Sequence, residues 1–219
     1  MFGLGKQDRT DITVVLDRSG SMQTVYKQTV DGFAAFTEKQ KQLPGDCRLT
    51  LFQFDTVHET VYRNRPIHRV GPLDLRPRGA TALLDAMGFA IQQTAERIEV
   101  QQAERRPARV IMVIITDGLE NSSREFTRQH VFSLVKHYTN KLDWQFVFLG
   151  ANQDAIREAT SMGIDSGAAM TYRATPQATK EVWCAMANAV GRHRASRKAR
   201  MDQSYFTAEE RRKSMHEED

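Results

Sequence analysis

The sequence contains little cysteine and lacks long apolar runs. Its two cysteines, Cys47 and Cys184, are too few for a small secreted domain held together by disulfides, and we expect both thiols to be reduced and unpaired. No apolar stretch approaches the roughly 18 residues that would indicate a membrane span. The first ten residues, MFGLGKQDRT, lack the apolar segment of a signal peptide. We therefore expect a cytoplasmic protein with no membrane partner.

No charge of one sign dominates either. The 31 lysines and arginines are nearly balanced by 27 acidic residues, which leaves a formal net charge of +4 that says little about partners. A charged fraction of 26% is ordinary for a soluble protein, and a hydrophobic fraction of 40% is enough for a core. The 219 residues allow one large domain or two small ones. We expect one domain and a monomer.

Two patterns alternate along the chain. Short apolar or β-branched runs are typical of buried strands and occur at 11–17, 47–55, 108–117, 144–150 and, more weakly, 168–174. Helical periodicity occurs at 25–43, 81–104, 127–140, 153–163 and 175–193. This alternation predicts an α/β fold whose mostly parallel central sheet is covered by helices on both faces. Residues 57–64 predict one antiparallel edge strand, paired with 47–55 in a hairpin.

The most apolar run, ARVIMVIITD at 108–117, predicts the central strand. The side chains that we expect in the centre of the sheet come from this run and from the strands at 11–17 and 144–150. They are Val14, Leu16, Ile111, Val113, Ile115, Phe146 and Phe148.

The chain changes character after the predicted domain at 9–190. The segment GRHRASRKAR holds five lysines or arginines in ten residues, and we interpret the tail at 191–219 as partly helical or disordered. A solvated helix extension explains the charges, but a basic tract can also bind nucleic acid, so a nucleic-acid adaptor stays an alternative. Thr207 and Glu210 have the spacing of a capping box, which predicts a short terminal helix.

Polar side chains cluster where predicted strands end. Asp17, Ser19 and Ser21 follow the first strand in DRSGSM, Asp117 follows the most apolar strand in TDG, and Thr81 lies just before a helix in PRGATALLD. Each alone is typical of a turn or a helix N-cap. Together they occupy the edge of a parallel sheet where ligands usually bind, beyond the carboxyl ends of the strands. The sequence therefore predicts one site built from three loops.

These motifs resemble the metal-ion-dependent adhesion site (MIDAS) of von Willebrand factor type A (vWA) domains. The pattern DxSxS, a threonine before a helix and TDG after an apolar strand match that site in order, and the resemblance covers about residues 9–190. It implies a Rossmann-like vWA fold. The whole chain also resembles small bacterial and phage-type proteins that carry one such domain and little else.

The resemblance assigns a role to each matching residue. It implies that the hydroxyls of Ser19, Ser21 and Thr81 bind the metal directly, while Asp17 and Asp117 act mainly through water or by hydrogen-bonding those hydroxyls. Hard oxygen ligands with retained waters suit Mg²⁺, and Mn²⁺ can substitute. Because neutral hydroxyls leave the cation poorly neutralised, an aspartate or glutamate of a protein partner would complete the shell. We therefore expect a non-catalytic, metal-dependent interaction module.

The same resemblance suggests where a partner would bind. Candidate contact residues beside the expected metal are Arg18, Met22, Arg78 and Glu120. By analogy with some bacterial members of the family, the partner would be an AAA+ ATPase or a component of a stress or defence system.

Enzyme classes fit the motifs less well. A haloacid-dehalogenase-type phosphatase needs a second acid where Ser19 stands, and neither a P-loop nor a Gly-x-Ser-x-Gly elbow is present. The histidines show no zinc spacing, and we expect His130 and His137 on the surface of a helix. A Mg²⁺-dependent hydrolase, phosphatase-like or nuclease-like and using Asp17 or Asp117, stays the enzymatic alternative.

Overall fold

Six strands of the computed structural model form one sheet in the order β3-β2-β1-β4-β5-β6. The structure describes residues 8–151, 154–196, 198–201 and 204–215. All neighbouring strands are parallel except β2 and β3, which pair antiparallel as a hairpin at the sheet edge. The strands are β1 (Thr10–Asp17), β2 (Cys47–Phe54), β3 (His58–Pro66), β4 (Arg109–Thr116), β5 (Gln145–Ala151) and β6 (Ala169–Tyr172). The predicted fold class and the antiparallel edge strand are confirmed.

Helices connect the strands at the predicted places. They are α1 (Tyr26–Gln42), α2 (Leu83–Glu99), α3 (Arg128–Leu142), α4 (Ala155–Ser161), α5 (Pro176–Ala195) and α6 (Ala208–Lys213). The predicted start of α4 at Gln153 lies outside the described residues. The helix predicted at 81–104 is shorter at both ends, because the chain before Leu83 forms a loop of the candidate site described below. Within the described residues, no helix is long and apolar enough to cross a membrane.

The core lies on both faces of the two central strands. Every residue of β1 and β4 is buried, which requires helices on both sides of the sheet. All seven side chains expected in the sheet centre are buried. Both cysteines are unpaired, with Cys47 buried and Cys184 exposed. His130 and His137 are exposed on α3, as predicted.

Helices α1 and α5 pack closely because a glycine faces a tryptophan. A Cβ atom at Gly32 would overlap the indole ring of Trp183, so only glycine allows this approach. The indole also contacts Phe33 and Phe36, with ring centroids 6.2 and 6.4 Å away. This contact fixes α1, and with it the loop that leads from β1 into α1.

The start of the basic tail belongs to the folded core. Helix α5 continues past residue 190, and Arg194 is buried, where it donates hydrogen bonds to the carbonyls of Gln40 (2.7 Å) and Pro44 (3.1 Å). The segment at 191–195 does extend the helix, with Arg192 and Ala195 exposed, but a solvated face is the wrong interpretation for His193 and Arg194, which are buried. Charge alone predicted exposure of this segment, but the guanidinium of Arg194 is buried because it donates hydrogen bonds to backbone carbonyls.

The later part of the tail packs back onto the sheet edge. Tyr205 and Phe206 are buried, and the predicted capping box of α6 is present, with reciprocal bonds between its threonine and its glutamate. Arg211 donates to the carbonyl of Ala169 (2.6 Å), and the Ser214 hydroxyl donates to that of Thr171 (3.0 Å). These donors satisfy carbonyls of the edge strand β6, so the segment covers an edge that would otherwise be open.

Candidate metal centre

The predicted site residues meet where the central strands end. Strands β1 and β4 pair in parallel with Leu16 opposite Ile115, so the residues that follow both strands emerge at the same edge of the sheet. Asp17 is the last residue of β1, and Asp117 comes directly after β4. The topology therefore places two carboxylates side by side at the edge where α/β proteins bind ligands.

Asp17 organises the base of the site. Its side chain is fully buried, and Oδ2 accepts a hydrogen bond of 2.6 Å from the Thr116 hydroxyl, while Oδ1 accepts one of 2.6 Å from the Ser19 amide. Burial raises the pKa of Asp17 to about 6, although the hydrogen bonds from Thr116 and Ser19 act in the opposite direction. The Ser19 bond turns the chain sharply after the strand, so the following hydroxyls point back toward the sheet edge.

The two serines and Asp117 form a chain of oxygens. Ser19 Oγ lies 3.1 Å from Ser21 Oγ, and the Ser21 hydroxyl donates to Asp117 Oδ1 at 2.6 Å. Ser19 is buried, Asp117 is half-buried and Ser21 is exposed, so the chain runs from the interior to the surface. Burial raises the pKa of Asp117, although the Ser21 hydrogen bond opposes this change.

Thr81 joins the cluster from a third loop. Its amide donates to Asn121 Oδ1 (2.9 Å), and its carbonyl accepts from the Asn121 amide (3.1 Å). A Cβ atom at Gly118 would lie 3.0 Å from Thr81 Oγ1 and 3.8 Å from Ser21 Oγ, so both hydroxyls face the glycine of the TDG turn. The structure thus brings all five predicted metal-site residues to one place.

Two of the four predicted partner-contact residues are inaccessible. Met22 is fully buried in the core, so it cannot contact a partner. Arg18 is also buried, and its guanidinium binds the buried Asp55 (2.8 Å) and the more exposed Glu59 (2.6 Å). Both expectations are wrong because the turn after β1 directs these side chains inward.

The other two candidates, Glu120 and Arg78, also bind within the chain. Glu120 accepts hydrogen bonds from the Leu84 amide (2.9 Å) and from Ser123 Oγ (2.7 Å) and N (2.8 Å), which joins the loop after β4 to the start of α2. Arg78 forms an ion pair with Asp55 (2.9 Å), but its side chain is 62% exposed. Of the four, Arg78 keeps most of its surface available to a partner.

Sequence reasoning missed three side chains that support these loops. Asp85 accepts hydrogen bonds from the amides of Arg124 (2.8 Å) and Phe126 (2.8 Å). Asn121 forms hydrogen bonds with both the amide and the carbonyl of Thr81. Asp55 forms ion pairs with Arg18 and Arg78. The sequence could have indicated Asp55, because it is an acid that directly follows β2, the strand that pairs with β1. Nothing in the local sequence distinguishes Asp85 from a surface acid of a helix.

The Asp55 carboxyl is buried, but its hydrogen-bond partners favour the ionised form. Burial alone would raise the pKa of this carboxyl. Hydrogen bonds from Arg78, the Val57 amide and Arg18 outweigh burial and hold the pKa of Asp55 below its ordinary value. Asp55 therefore contributes a full negative charge between two arginines.

The donor set of the cluster fits a hard divalent cation. Two oxygens that both bind Mg²⁺ at about 2.1 Å in an octahedral shell lie roughly 3 Å apart. The observed separations of 3.1 Å between Ser19 Oγ and Ser21 Oγ, and 2.6 Å between Ser21 Oγ and Asp117 Oδ1, are close to that value. Within the described ranges, no group of three or more histidine, cysteine or acidic residues could hold a metal. Hydroxyl and carboxylate oxygens favour Mg²⁺ or Mn²⁺ over softer metals.

Comparison with known proteins identifies the fold. No family model and no curated protein sequence matches the chain. Among solved structures, it is similar to proximal thread matrix protein 1 (PTMP1) from the mussel byssus, with 16% identity, a TM-score of 0.60, and coverage of 84% of this chain and 46% of that one. It is also similar to the ArnB paralog VWA2 from Sulfolobus acidocaldarius, with 16% identity, a TM-score of 0.52, and coverage of 81% and 44%.

A third similar structure is the vWF domain of the pilus tip protein Mfa5 from Porphyromonas gingivalis. It shares 11% identity and a TM-score of 0.60, with 90% of this chain and 99% of that one covered. The chain thus spans less than half of PTMP1 and of VWA2, but nearly all of the Mfa5 domain. Together with the sheet order and the single antiparallel edge, these likenesses show that the chain has the von Willebrand factor type A fold.

Proposed function

We propose that this chain is a metal-dependent protein-binding module. Ser19, Ser21 and Thr81 would hold a divalent cation, Mg²⁺ or Mn²⁺, with Asp17 and Asp117 beside it. The observation that carries the proposal is the convergence of these hydroxyls and carboxylates, from three separate loops, at the carboxyl edge of the sheet. In PTMP1, a similar fold carries zinc at a MIDAS motif.

The balance of neutral and charged oxygens favours binding over catalysis. A bound divalent cation supplies a positive centre that attracts a carboxylate. Asp17 is engaged by Thr116 and Ser19, so its oxygens orient the loop and do not project toward solvent. Three of the five polar side chains are neutral hydroxyls, which leaves room for one more negative ligand from a partner.

The surface around the cluster suits a protein partner. Ser21 is exposed at the top of the oxygen chain, so an incoming side chain can reach it. Leu119, two residues after Asp117, is 61% exposed, and the Arg78 side chain is 62% exposed. Arginine is among the residue types that are enriched at protein–protein interfaces. We propose an aspartate or glutamate of the partner as the group that binds.

Selection from a displayed peptide library tests the proposal. The full chain, immobilised in Mg²⁺, should enrich peptides that contain aspartate or glutamate, and EDTA should release them. The same selection with Ser19→Ala/Ser21→Ala should show no such enrichment, because the variant lacks two of the hydroxyls. A Ser133→Ala variant is the control, since Ser133 is an exposed serine on α3.

Two results would contradict the proposal. Equal enrichment of acidic peptides in EDTA would remove the metal from recognition. Mg²⁺-dependent hydrolysis of a phosphate ester that Asp17→Ala abolishes would favour the hydrolase.

A further inference from the structure

A buried aspartate outside the predicted metal cluster connects two of its loops. Asp55 directly follows β2, whose last residue, Phe54, pairs with Asp17 of β1. Its side chain is buried, yet it takes no part in the chain of oxygens formed by the serines and Asp117. The metal site itself therefore does not explain this buried charge.

One oxygen of Asp55 binds an arginine from each loop. Oδ2 accepts from Arg18 Nε at 2.8 Å and from Arg78 Nε at 2.9 Å. In the sequence, Arg18 stands between Asp17 and Ser19 of the first loop, and Arg78 precedes Thr81 in the second loop. The carboxylate is thus the common partner of both metal-site loops.

Backbone hydrogen bonds reinforce the same junction. The Arg78 amide donates to the Arg18 carbonyl (2.8 Å), the Gly20 amide donates to the Gly79 carbonyl (3.2 Å), and the Ala82 amide donates to the Asp55 carbonyl (2.9 Å). Gly79 has a φ of +69°, and a Cβ atom there would lie 3.3 Å from the Asp55 Cβ. The second loop therefore follows a tight path around Asp55 just before it reaches Thr81.

The charges make Asp55 the indispensable member of this junction. The Arg18 side chain is only 6% exposed and needs a buried counter-charge, whereas its second partner, Glu59, is 57% exposed. A charged group buried without a partner is costly, so loss of Asp55 would displace Arg18 and the loop that carries it. Loss of the Arg78 side chain would remove the ion pair of the second loop but leave its backbone hydrogen bonds in place.

We infer that Asp55 is a positioning residue of the metal site, which holds the Thr81 loop against the Asp17–Ser21 loop through Arg78 and Arg18. This inference rests on the proposed function, because it assumes that the three hydroxyls bind one cation. Groups that orient metal ligands from outside the coordination shell typically change metal affinity about 10- to 100-fold. Asp55 acts in this way through two arginines.

The test measures binding of Mn²⁺ alone to the full chain, from the electron paramagnetic resonance signal of free Mn²⁺. Asp55→Asn should weaken binding about 10- to 100-fold, and Arg78→Gln should weaken it by a smaller factor. The chain supplies a matched control pair, Asp74 and Arg76, whose side chains also form an ion pair (2.9 Å) in the same segment but point to solvent. Asp74→Asn and Arg76→Gln should leave Mn²⁺ binding unchanged.

A double variant separates positioning from general destabilisation. If Asp55 acts by placing Thr81, then Thr81→Val should weaken Mn²⁺ binding strongly in the wild-type background and little in Asp55→Asn. If Thr81→Val weakens Mn²⁺ binding by the same factor in the wild-type and Asp55→Asn backgrounds, the inference is overturned. If Asp55→Asn fails to fold, Arg78→Gln combined with Thr81→Val supplies the same comparison.

The inference and the proposed function fail in different ways. If the wild type binds Mn²⁺ and both Asp55→Asn and Arg78→Gln bind it equally well, the positioning role is overturned but the proposed metal site is not. A wild-type chain that binds no Mn²⁺ would overturn both.

Discussion

Two aspartates of strand β1 are both buried but have opposite surroundings. Asp11, near the start of the strand, accepts two hydrogen bonds from the guanidinium of Arg97, at 2.7 and 3.0 Å. Asp17, at its end, accepts hydrogen bonds from the neutral Thr116 hydroxyl and Ser19 amide. In the described part of the chain, no lysine or arginine forms an ion pair with Asp17.

The difference separates a carboxylate that is paired with a cation within the protein from one that has only neutral donors. The ion pair of Asp11 is complete within the protein, so it serves the fold. Asp17 is fixed by neutral donors at the ligand-binding edge of the sheet, which leaves its negative charge uncompensated. A divalent cation beside Asp17 would supply the balancing positive charge at the end of β1, as Arg97 does for Asp11 near the start of the strand.

The largest expected effect is the loss of folding stability when the Asp11–Arg97 ion pair is broken. Asp11→Ala leaves the Arg97 guanidinium largely buried without its partner, and should lower the free energy of unfolding by about 3–5 kcal/mol. Urea denaturation in EDTA measures this loss. Where the variant still folds, its Mn²⁺ affinity should equal that of the wild type, because Arg97 and Asp11 lie far along the strand from the cluster.

Asp17→Ala is the matched substitution at the other end of the strand. It should abolish Mn²⁺ binding and lower the free energy of unfolding less than Asp11→Ala does, because no buried cation loses its partner. A larger stability loss for Asp17→Ala, or a loss of Mn²⁺ binding in folded Asp11→Ala, would break the distinction between the two aspartates.

A smaller effect concerns the buried imidazole of His193. Burial lowers the pKa of His193 to about 4, and nearby Arg109 acts in the same direction. Its Nε2 lies 2.9 Å from the Ala199 carbonyl, while Nδ1 has no hydrogen-bond partner among the described residues. The folded state therefore disfavours the second proton.

The sign of the resulting pH dependence follows from linkage. Because the folded pKa lies below the ordinary value of 6.5, the unfolded chain binds more protons between these values. Stability should be complete above pH 6.5 and fall by roughly 2–3 kcal/mol as the pH decreases toward 4. Urea denaturation at several pH values gives the free energy of unfolding, and its slope against pH should be shallower for His193→Gln than for the wild type. His130→Gln, which changes an exposed histidine, is the control, and an equal slope in wild type and His193→Gln would contradict the prediction.

The smallest expected effect comes from Asn121. Asn121→Ala removes the acceptor of the Thr81 amide and should weaken Mn²⁺ binding about tenfold. Because Asn121 is exposed, the free energy of unfolding should change by less than about 1 kcal/mol. Asn140→Ala, at an exposed position on α3, should change neither quantity. Unaltered Mn²⁺ affinity in Asn121→Ala would show that other contacts fix Thr81.

The sequence predicted those features that depend on local pattern. Alternating apolar runs and helical periodicity identified the strands and the sheet. Asp17 and Asp117 were singled out because they follow predicted strands together with the hydroxyls of Ser19, Ser21 and Thr81 at the same edge of the sheet. Thr207 and Glu210 predicted α6 because a capping box needs only their spacing. In each case, the determining interaction lies within a few residues.

The features that were missed depend on contacts between distant segments. Arg18 was expected to face a partner because its motif is a surface loop, yet Asp55, 37 residues later, draws it inward. Arg194 was expected in solvent, but Gln40 and Pro44, about 150 residues earlier, bind it. No local pattern distinguishes such buried arginines from solvated ones.

The most direct test of the metal site is the anomalous diffraction of crystals of the chain grown in Mn²⁺. We predict a peak within about 2.0–2.3 Å of the Ser19, Ser21 and Thr81 hydroxyl oxygens, with Asp17 and Asp117 close behind. Crystals of Asp17→Ala grown under the same conditions should lack this peak. Absence of a wild-type peak between the three hydroxyls at saturating Mn²⁺, or an unchanged peak in Asp17→Ala, would contradict the proposed metal centre.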